Sequence, residues 1–248
     1  MGAPLMLSHA SYTAQVFVDR LLLTWYGTDA MAGQVTGVFF TLSLVGVFIS
    51  IGEYLTTFVA QYHGAGQPRS IGLAMGQGVI FAVLSGVLLA ALAPFVRPFF
   101  EGTGHSPALV EAEVTYSRTL LLGAFVSILL PTLSSFFSGL GRVGVVLGVT
   151  VLVNVLNIVL DSLLIFGNLG FPEWGVFGAA VDNVISQGIG CAVLLGILLK
   201  KENRERYGFS NFLRFDGSLF RKLLRYGTPA GLHFSVELFA FSIFMILV

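Results

Sequence analysis

Seven stretches of about twenty or more mostly apolar residues set the terms for this chain: 3–26, 35–59, 72–98, 115–138, 143–166, 175–199 and 226–248. A helix needs roughly 20 such residues to cross the hydrocarbon core of a bilayer. In lipid every backbone N–H and C=O must be paired within the protein, which leaves helices or closed barrels. Apolar runs of this length are helices. The remainder of the composition agrees. Only 10% of the 248 residues are charged, against about 25% in a soluble domain. Lys and Arg number 13 and so do Asp and Glu, so there is no basic excess to recruit nucleic acid. The single Cys191 excludes a disulfide framework or a zinc knuckle. Thirty glycines suit closely packed membrane helices. No Lys or Arg precedes Arg20, so the N-terminus lacks the positive region of a signal peptide. The predicted fold class is an all-α polytopic membrane protein, with the bilayer as its first partner.

The connections are turn-like: Gly27-Thr28-Asp29, Gly64-Ala65-Gly66-Gln67-Pro68 and Asn168-Leu169-Gly170-Phe171-Pro172. Basic residues collect on the cytoplasmic side of a membrane. Arg69, Arg142, Lys200, Lys201, Arg204, Arg206, Arg214, Arg221, Lys222 and Arg225 follow spans two, four and six, whereas Arg97 and Arg118 lie at or beside the odd connections. The N-terminus and residues 200–225 are therefore expected in the cytoplasm, with the chain in the cell (plasma or inner) membrane. The expected organisation is a six-helix lobe over 1–199, a cytoplasmic linker over 200–225, and one helix of an incomplete second lobe over 226–248. Gly2-Ala3-Pro4 and Gly227-Thr228-Pro229 open spans one and seven alike, as if an internal repeat began again. The chain stops at Val248 inside span seven, which reads as a truncation.

Charges inside the spans cost on the order of 3 kcal/mol each at the membrane centre. Asp19, Arg20, Glu53, Asp161, Asp182 and Glu237 are such charges. Ser8, Tyr12, Gln15, Asp19 and Tyr26 share one face of span one at helical spacing. Asn154, Asn157 and Asp161 share a face of span five at i, i+3 and i+7. Span six carries Asp182, Asn183, Ser186 and Gln187. Spans one and five run outward and span six runs inward, so Asp19, Asp161, Asp182 and Asn183 all fall in the outer half. Carboxylates and carboxamides from three helices can converge there and take up a proton or a Na⁺-like cation. Asn154 is either a packing residue or part of that group, and Asp182 either joins it or stands at the lip of an outer vestibule. Arg20 either snorkels or pairs with Asp19 or Asp182. Glu53, nearer the cytoplasm, is a vestibule residue or a packing partner. Glu237 lies near the middle of span seven, beside the cleft that a second lobe would form. His9, His63, His105 and His233 have no metal-ligand spacing and read as structural.

No Walker motif, GxSxG or HExxH is present, so nothing in the sequence points to an enzyme. The ordered pieces of the chain resemble the multidrug and toxic compound extrusion family. Span one has Pro4, Gln15 and Asp19, followed by Gly27 and Ala30-Met31-Ala32-Gly33. Span two ends Gln61-Tyr62-His63-Gly64-Ala65-Gly66. Span four has Pro131 and ends Ser138-Gly139-Leu140-Gly141-Arg142. Span five reads Asn154-Val155-Leu156-Asn157-Ile158-Val159-Leu160-Asp161, then Leu163-Leu164-Ile165-Phe166-Gly167, and span six opens Gly175-Val176-Phe177-Gly178-Ala179-Ala180. The resemblance implies half of a twelve-helix, two-lobe antiporter. It implies a cation site of Asp19, Asn157 and Asp161 in the first lobe, where Na⁺ is the one metal to consider. It also aligns Glu237 with a glutamate of the NorM-type branch. After Gly-Ala-Ala, where the family often has a small residue or Thr, this chain departs with Asp182-Asn183.

The expected function is export of amphipathic, often cationic, compounds in exchange for H⁺ or Na⁺, with no cofactor and no nucleic-acid partner. Asp19, Asn157, Asp161, Asn154 and Asn183 are the expected coupling residues, with Gln15, Asp182, Glu53 and Glu237 as further coupling or substrate residues. The rivals are a flippase for lipid-linked oligosaccharides or polysaccharides, which calls for a more basic cavity than Arg20 supplies, and a non-catalytic structural membrane subunit. Alternating access needs two repeats that rock against each other, so the chain is expected to need a second lobe to transport.

Overall fold

The computed structural model describes residues 2–209 and 214–247, without the side chains of residues 2–9, 12, 230, 233–235 and 237–247. The described elements are helical. They are α1 (Gly2–Tyr26), α2 (Thr28–Glu53), α3 (Leu55–Gly64), α4 (Pro68–Ala90), α5 (Val96–Glu101), α6 (Pro107–Leu122), α7 (Ala124–Gly139), α8 (Val143–Leu164), α9 (Gly175–Leu198), α10 (Lys201–Tyr207) and α11 (Gly217–Leu247).

Four helical stretches are long and apolar enough to cross a membrane: Thr28–Gly64, Pro68–Glu101, Val143–Leu164 and Gly175–Leu198. The pair α6 and α7, bent by 50° at Gly123, makes a fifth. The 25-residue α1 has the length, and its Gln15, Asp19 and Arg20 account for its weaker apolar character. It packs along α8 and α2 within the bundle. Around it, α2 meets α6 and α7, α4 meets α7, and α9 packs on α8, α7 and α6. This is an all-α polytopic membrane protein, a six-helix lobe with a seventh helix.

Local chemistry explains the breaks. The α2–α3 break falls at Tyr54, opposite Ser135 of α7, whose hydroxyl donates to the Pro131 carbonyl at 3.0 Å and lies 3.4 and 3.3 Å from the carbonyls of Gly52 and Glu53. At the N-terminus of α6, Ser106 accepts from Leu109 N–H and Pro107 takes the first helical position.

Two connections differ from the expectation. The chain passes from α1 to α2 at the single residue Gly27, so 28–34 is helix rather than connection. Despite eleven basic and acidic residues, the described parts of 200–225 are also more structured than a polar linker would be. It contains α10, and α11 begins at Gly217 rather than near 226. Burial is the reason. Tyr207 and Phe209 are 1% and 3% exposed and pack on Phe136 at ring-centroid distances of 5.0 and 5.6 Å. The buried Gln77 of α4 donates to the Arg214 carbonyl at 2.8 Å and accepts from the Asp216 N–H at 3.0 Å. A side-chain amide thus satisfies one donor and one acceptor of a chain that has left the helical ladder. From there α11 runs along α2, with Gly227 against Ile51 and Gly231 against Val47.

Candidate ion and substrate site

The site begins with the closure of the α8–α9 hairpin. Gly167 holds a left-handed backbone at φ 69°, a conformation that favours glycine. The Trp174 and Gly175 N–H groups then donate back to Leu164 and Ile165 at 3.0 and 3.2 Å. A Cβ on Gly178 would stand 2.5 Å from the Leu164 carbonyl oxygen, so only glycine lets the two helices meet this closely. One helical turn before Ile165 lies Asp161, and one turn after Gly178 lies Asp182. The tight closure therefore sets these two carboxyls opposite each other.

The polar stripe of α1 supplies the third. Asp161 lies within hydrogen-bond reach of both Asp182 and Asp19, and Gln15 reaches Asp19 from one turn earlier. All three acids are buried, with exposures of 6% at Asp19, 1% at Asp161 and 0% at Asp182. Asp182 is clamped by two amides. Asn157 Nδ2 donates to one oxygen at 3.0 Å and Asn183 Nδ2 to the other at 3.1 Å. Asn183 also donates to the Ala179 carbonyl at 3.0 Å. Asp161 differs, because neither of its oxygens meets a donor, nor does Asp19 Oδ1 or Asn157 Oδ1. The two side chains within hydrogen-bond reach of Asp161 are carboxyls, which as anions only accept. Contacts between acceptors hold together when a proton or a cation lies between them.

A cavity of about 420 Å³ opens beside this group. Gln15, Asp19, Asn154, Asn157, Asn183 and Ser186 give it a polar end, and Val38, Phe39, Leu42, Val45, Ile49 and Leu130 an apolar one. Such a lining takes up an amphipathic molecule: apolar surface supplies the contact and a few polar groups the orientation. Asn154 sits on that wall and donates to Ser11 Oγ at 2.9 Å.

Other expected residues lie apart. The Glu53 side chain is exposed at the α2–α3 break, away from the three acids and from the cavity lining. Tyr26 leaves the stripe of α1 to stack edge-on against Phe166 at 6.2 Å. Arg20 lines the cavity but forms no ion pair with Asp19 or Asp182 among the described residues. The side chains of Glu237, Ser8, Tyr12, His9 and His233 lie outside the described residues. Among the described residues no group of three His, Cys, Asp or Glu side chains is arranged as a metal site.

Several polar residues of the site carry no sequence signal of their own. Gln34 and Thr41 project from α2 to the cavity, and Tyr116 from α6 lies within hydrogen-bond reach of Gln34. Gln34 falls where a connection was expected, so its helical face was not legible. His105 also has a partner: its Nδ1 lies 3.0 and 3.2 Å from the two oxygens of Glu113, which is 0% exposed.

The fold and site together are those of a membrane-embedded helical bundle with a cluster of buried acids beside an amphipathic cavity. The chain belongs to the MatE family, whose model matches residues 4–163. It is similar to "Probable multidrug resistance protein NorM" of Rhizobium meliloti, 30% identical over 246 residues that cover 98% of this chain and 52% of that protein. The protein of the same name from Thermotoga maritima is 31% identical over 233 residues, covering 90% of this chain and 47% of the other. In fold, a transporter of the MOP superfamily from Pyrococcus furiosus superposes with a TM-score of 0.83 at 21% identity, over 97% of this chain and 52% of its own. The chain spans about half the length of the curated relatives it matches.

Proposed function

We propose that this chain forms the first lobe, with the opening helix of the second, of an antiporter that exports amphipathic, often cationic, compounds against an inward flow of H⁺ or Na⁺. The observation that carries the reading is the row Asp19–Asp161–Asp182 at the polar end of the cavity. Its central carboxyl has neighbours that accept and none that donates. A proton or small cation relieves that arrangement. A cationic substrate approaching Asp19 from the cavity competes for the same negative charge. Exchange then follows from differential affinity: the ion and the substrate each favour a different state of the lobe. The similarity to proteins named for multidrug resistance supports the substrate class. Under this reading the protein is a transporter of the cell membrane rather than an enzyme. The N-terminus and residues 200–225 face the cytoplasm, and a second lobe completes the path.

The test expresses the two-lobe gene product carrying this chain in an efflux-deficient host. Asp161→Asn keeps the volume and part of the hydrogen bonding but cannot cycle a charge. Export of a cationic dye driven by an imposed H⁺ or Na⁺ gradient should fall to the level of the empty vector while membrane expression stays unchanged. Gradient-driven export at the unmodified rate by both Asp161→Asn and Asp19→Asn would overturn the reading.

A further inference from the structure

The third carboxyl changes how many protons the site can hold. Asp19, Asp161 and Asp182 form a row with two contacts, Asp19 to Asp161 and Asp161 to Asp182. Each contact joins two acceptors, so each needs one hydrogen of its own. A carboxylic acid carries a single hydrogen, so one protonated acid cannot serve both contacts. Two protons are required: one on Asp19 donating to Asp161, and one on Asp161 donating to Asp182. Asp182 is then the one ionised member, and its surroundings suit that state. It accepts Asn157 Nδ2 and Asn183 Nδ2 at 3.0 and 3.1 Å and still has lone pairs for Asp161.

A second observation points outward from the acids. Asn157 is 1% exposed, its Oδ1 has no donor, and it lines the cavity. A buried acceptor without a donor is thus left beside the row. The remaining groups near the row do not replace its protons. Neither Asp161 oxygen nor Asp19 Oδ1 receives the hydroxyl of Tyr116 on α6. Arg20 lines the same cavity and pairs with none of them.

We propose that Asp182 makes this lobe a two-proton site, in which Asp161 and Asp19 carry the hydrogens and Asp182, held by Asn157 and Asn183, is the fixed anion at the deep end. The inference rests on the proton-coupled form of the function proposed above. It deepens that form by assigning the capacity of the site. Protons bound this way belong to the row as a unit.

Infrared difference spectroscopy on the 248-residue chain in lipid nanodiscs counts protonated carboxyls by their C=O stretch, which shifts in D₂O. An Asn at either end supplies an N–H in place of one proton. Asp182→Asn should therefore lose one protonated carboxyl relative to the unmodified chain, although the residue it replaces is the ionised one. Asp19→Asn should also lose one. Asp19→Asn/Asp182→Asn leaves Asp161 between two amides and should lose two. If Asp182→Asn loses none and the double variant loses one, the third acid is a spectator and the two-proton inference falls while proton coupling stands. If the double variant loses none, the row holds no proton, and the proton-coupled reading falls with it. Should Asp182→Asn fail to fold, Asp19→Asn/Asp161→Asn decides. It should lose two protonated carboxyls if the row holds two protons, and a loss of one overturns the two-proton inference.

Discussion

Gly178 is where fold and site are joined, and replacing it by alanine tests that connection. A Cβ there would meet the Leu164 carbonyl oxygen at 2.5 Å and its carbon at 2.7 Å. Ordinary van der Waals contact begins near 3.4 Å, so the overlap approaches 1 Å, and the obstacle is backbone with no rotamer to change. The hairpin must open, at a cost of about 1–3 kcal/mol for overpacking of this kind. Opening it draws Asp182 away from Asp161, because each lies one turn from the closure. Gly196 on the same helix is the control, since nothing lies within 4 Å of a Cβ there. Gly196→Ala should be neutral or stabilising by about 1 kcal/mol or less, through helix propensity alone. The assay is thermal unfolding of both variants in the same detergent. Gly178→Ala should melt several degrees lower, on the scale of about 2–4 °C per kcal/mol for a chain of this length. Equal melting of the two variants, with the carboxyl infrared band unchanged, would refute the claim that this approach builds the site.

Two further predictions concern features outside the cavity. His105→Ala removes the ring nitrogen at 3.0 Å from buried Glu113, and a buried carboxylate that loses this partner should cost about 1–3 kcal/mol. Adding Glu113→Gln should recover part of that loss in the melting temperature, and an unchanged melting temperature for His105→Ala alone would contradict the pairing. Gln77→Leu removes both hydrogen bonds that hold the backbone at Arg214 and Asp216. Trypsin should then cut at Arg214 several-fold faster with the helices otherwise intact, and an unchanged cleavage rate would show that the aromatic contacts of Tyr207 and Phe209 suffice.

The spans were legible because the hydrophobic requirement of a bilayer acts on every residue of a helix at once. Their ends were less so. Thr28–Gln34 is polar enough to pass for a loop, and nothing in its composition tells that a single Gly27 suffices to turn the chain. The segment from Lys200 onward shows the converse. Its charges read as solvated linker, and the residues that dock it are few and separated in sequence. Tyr207 and Phe209 dock on Phe136 of α7, and Gln77 of α4 holds the backbone at Arg214 and Asp216. A pattern of local composition carries no record of such contacts.

The acids are a different case, because their depth could be worked out before their contacts. Asp19, Asp161 and Asp182 share a level once each span is given a direction, and two of the three lie on stripes with other polar residues. What the sequence could not decide was whether Asp182 stood at a vestibule lip or in the group. That choice depends on how closely α8 and α9 approach, and so on Gly178, which alone looks like any other small residue of a membrane helix. The same limit hid the division of labour among the acids. Asp182 and Asp161 are chemically identical, but Asn157 and Asn183 both donate to the first and neither donates to the second. Asn157 lies four residues before Asp161 on the same face of α8, a spacing that suggests it should serve Asp161. In the structure it reaches across the hairpin to Asp182 instead, and leaves both Asp161 oxygens without a donor. A helical face predicts which residues are neighbours, whereas the partner each chooses is set by the opposing helix.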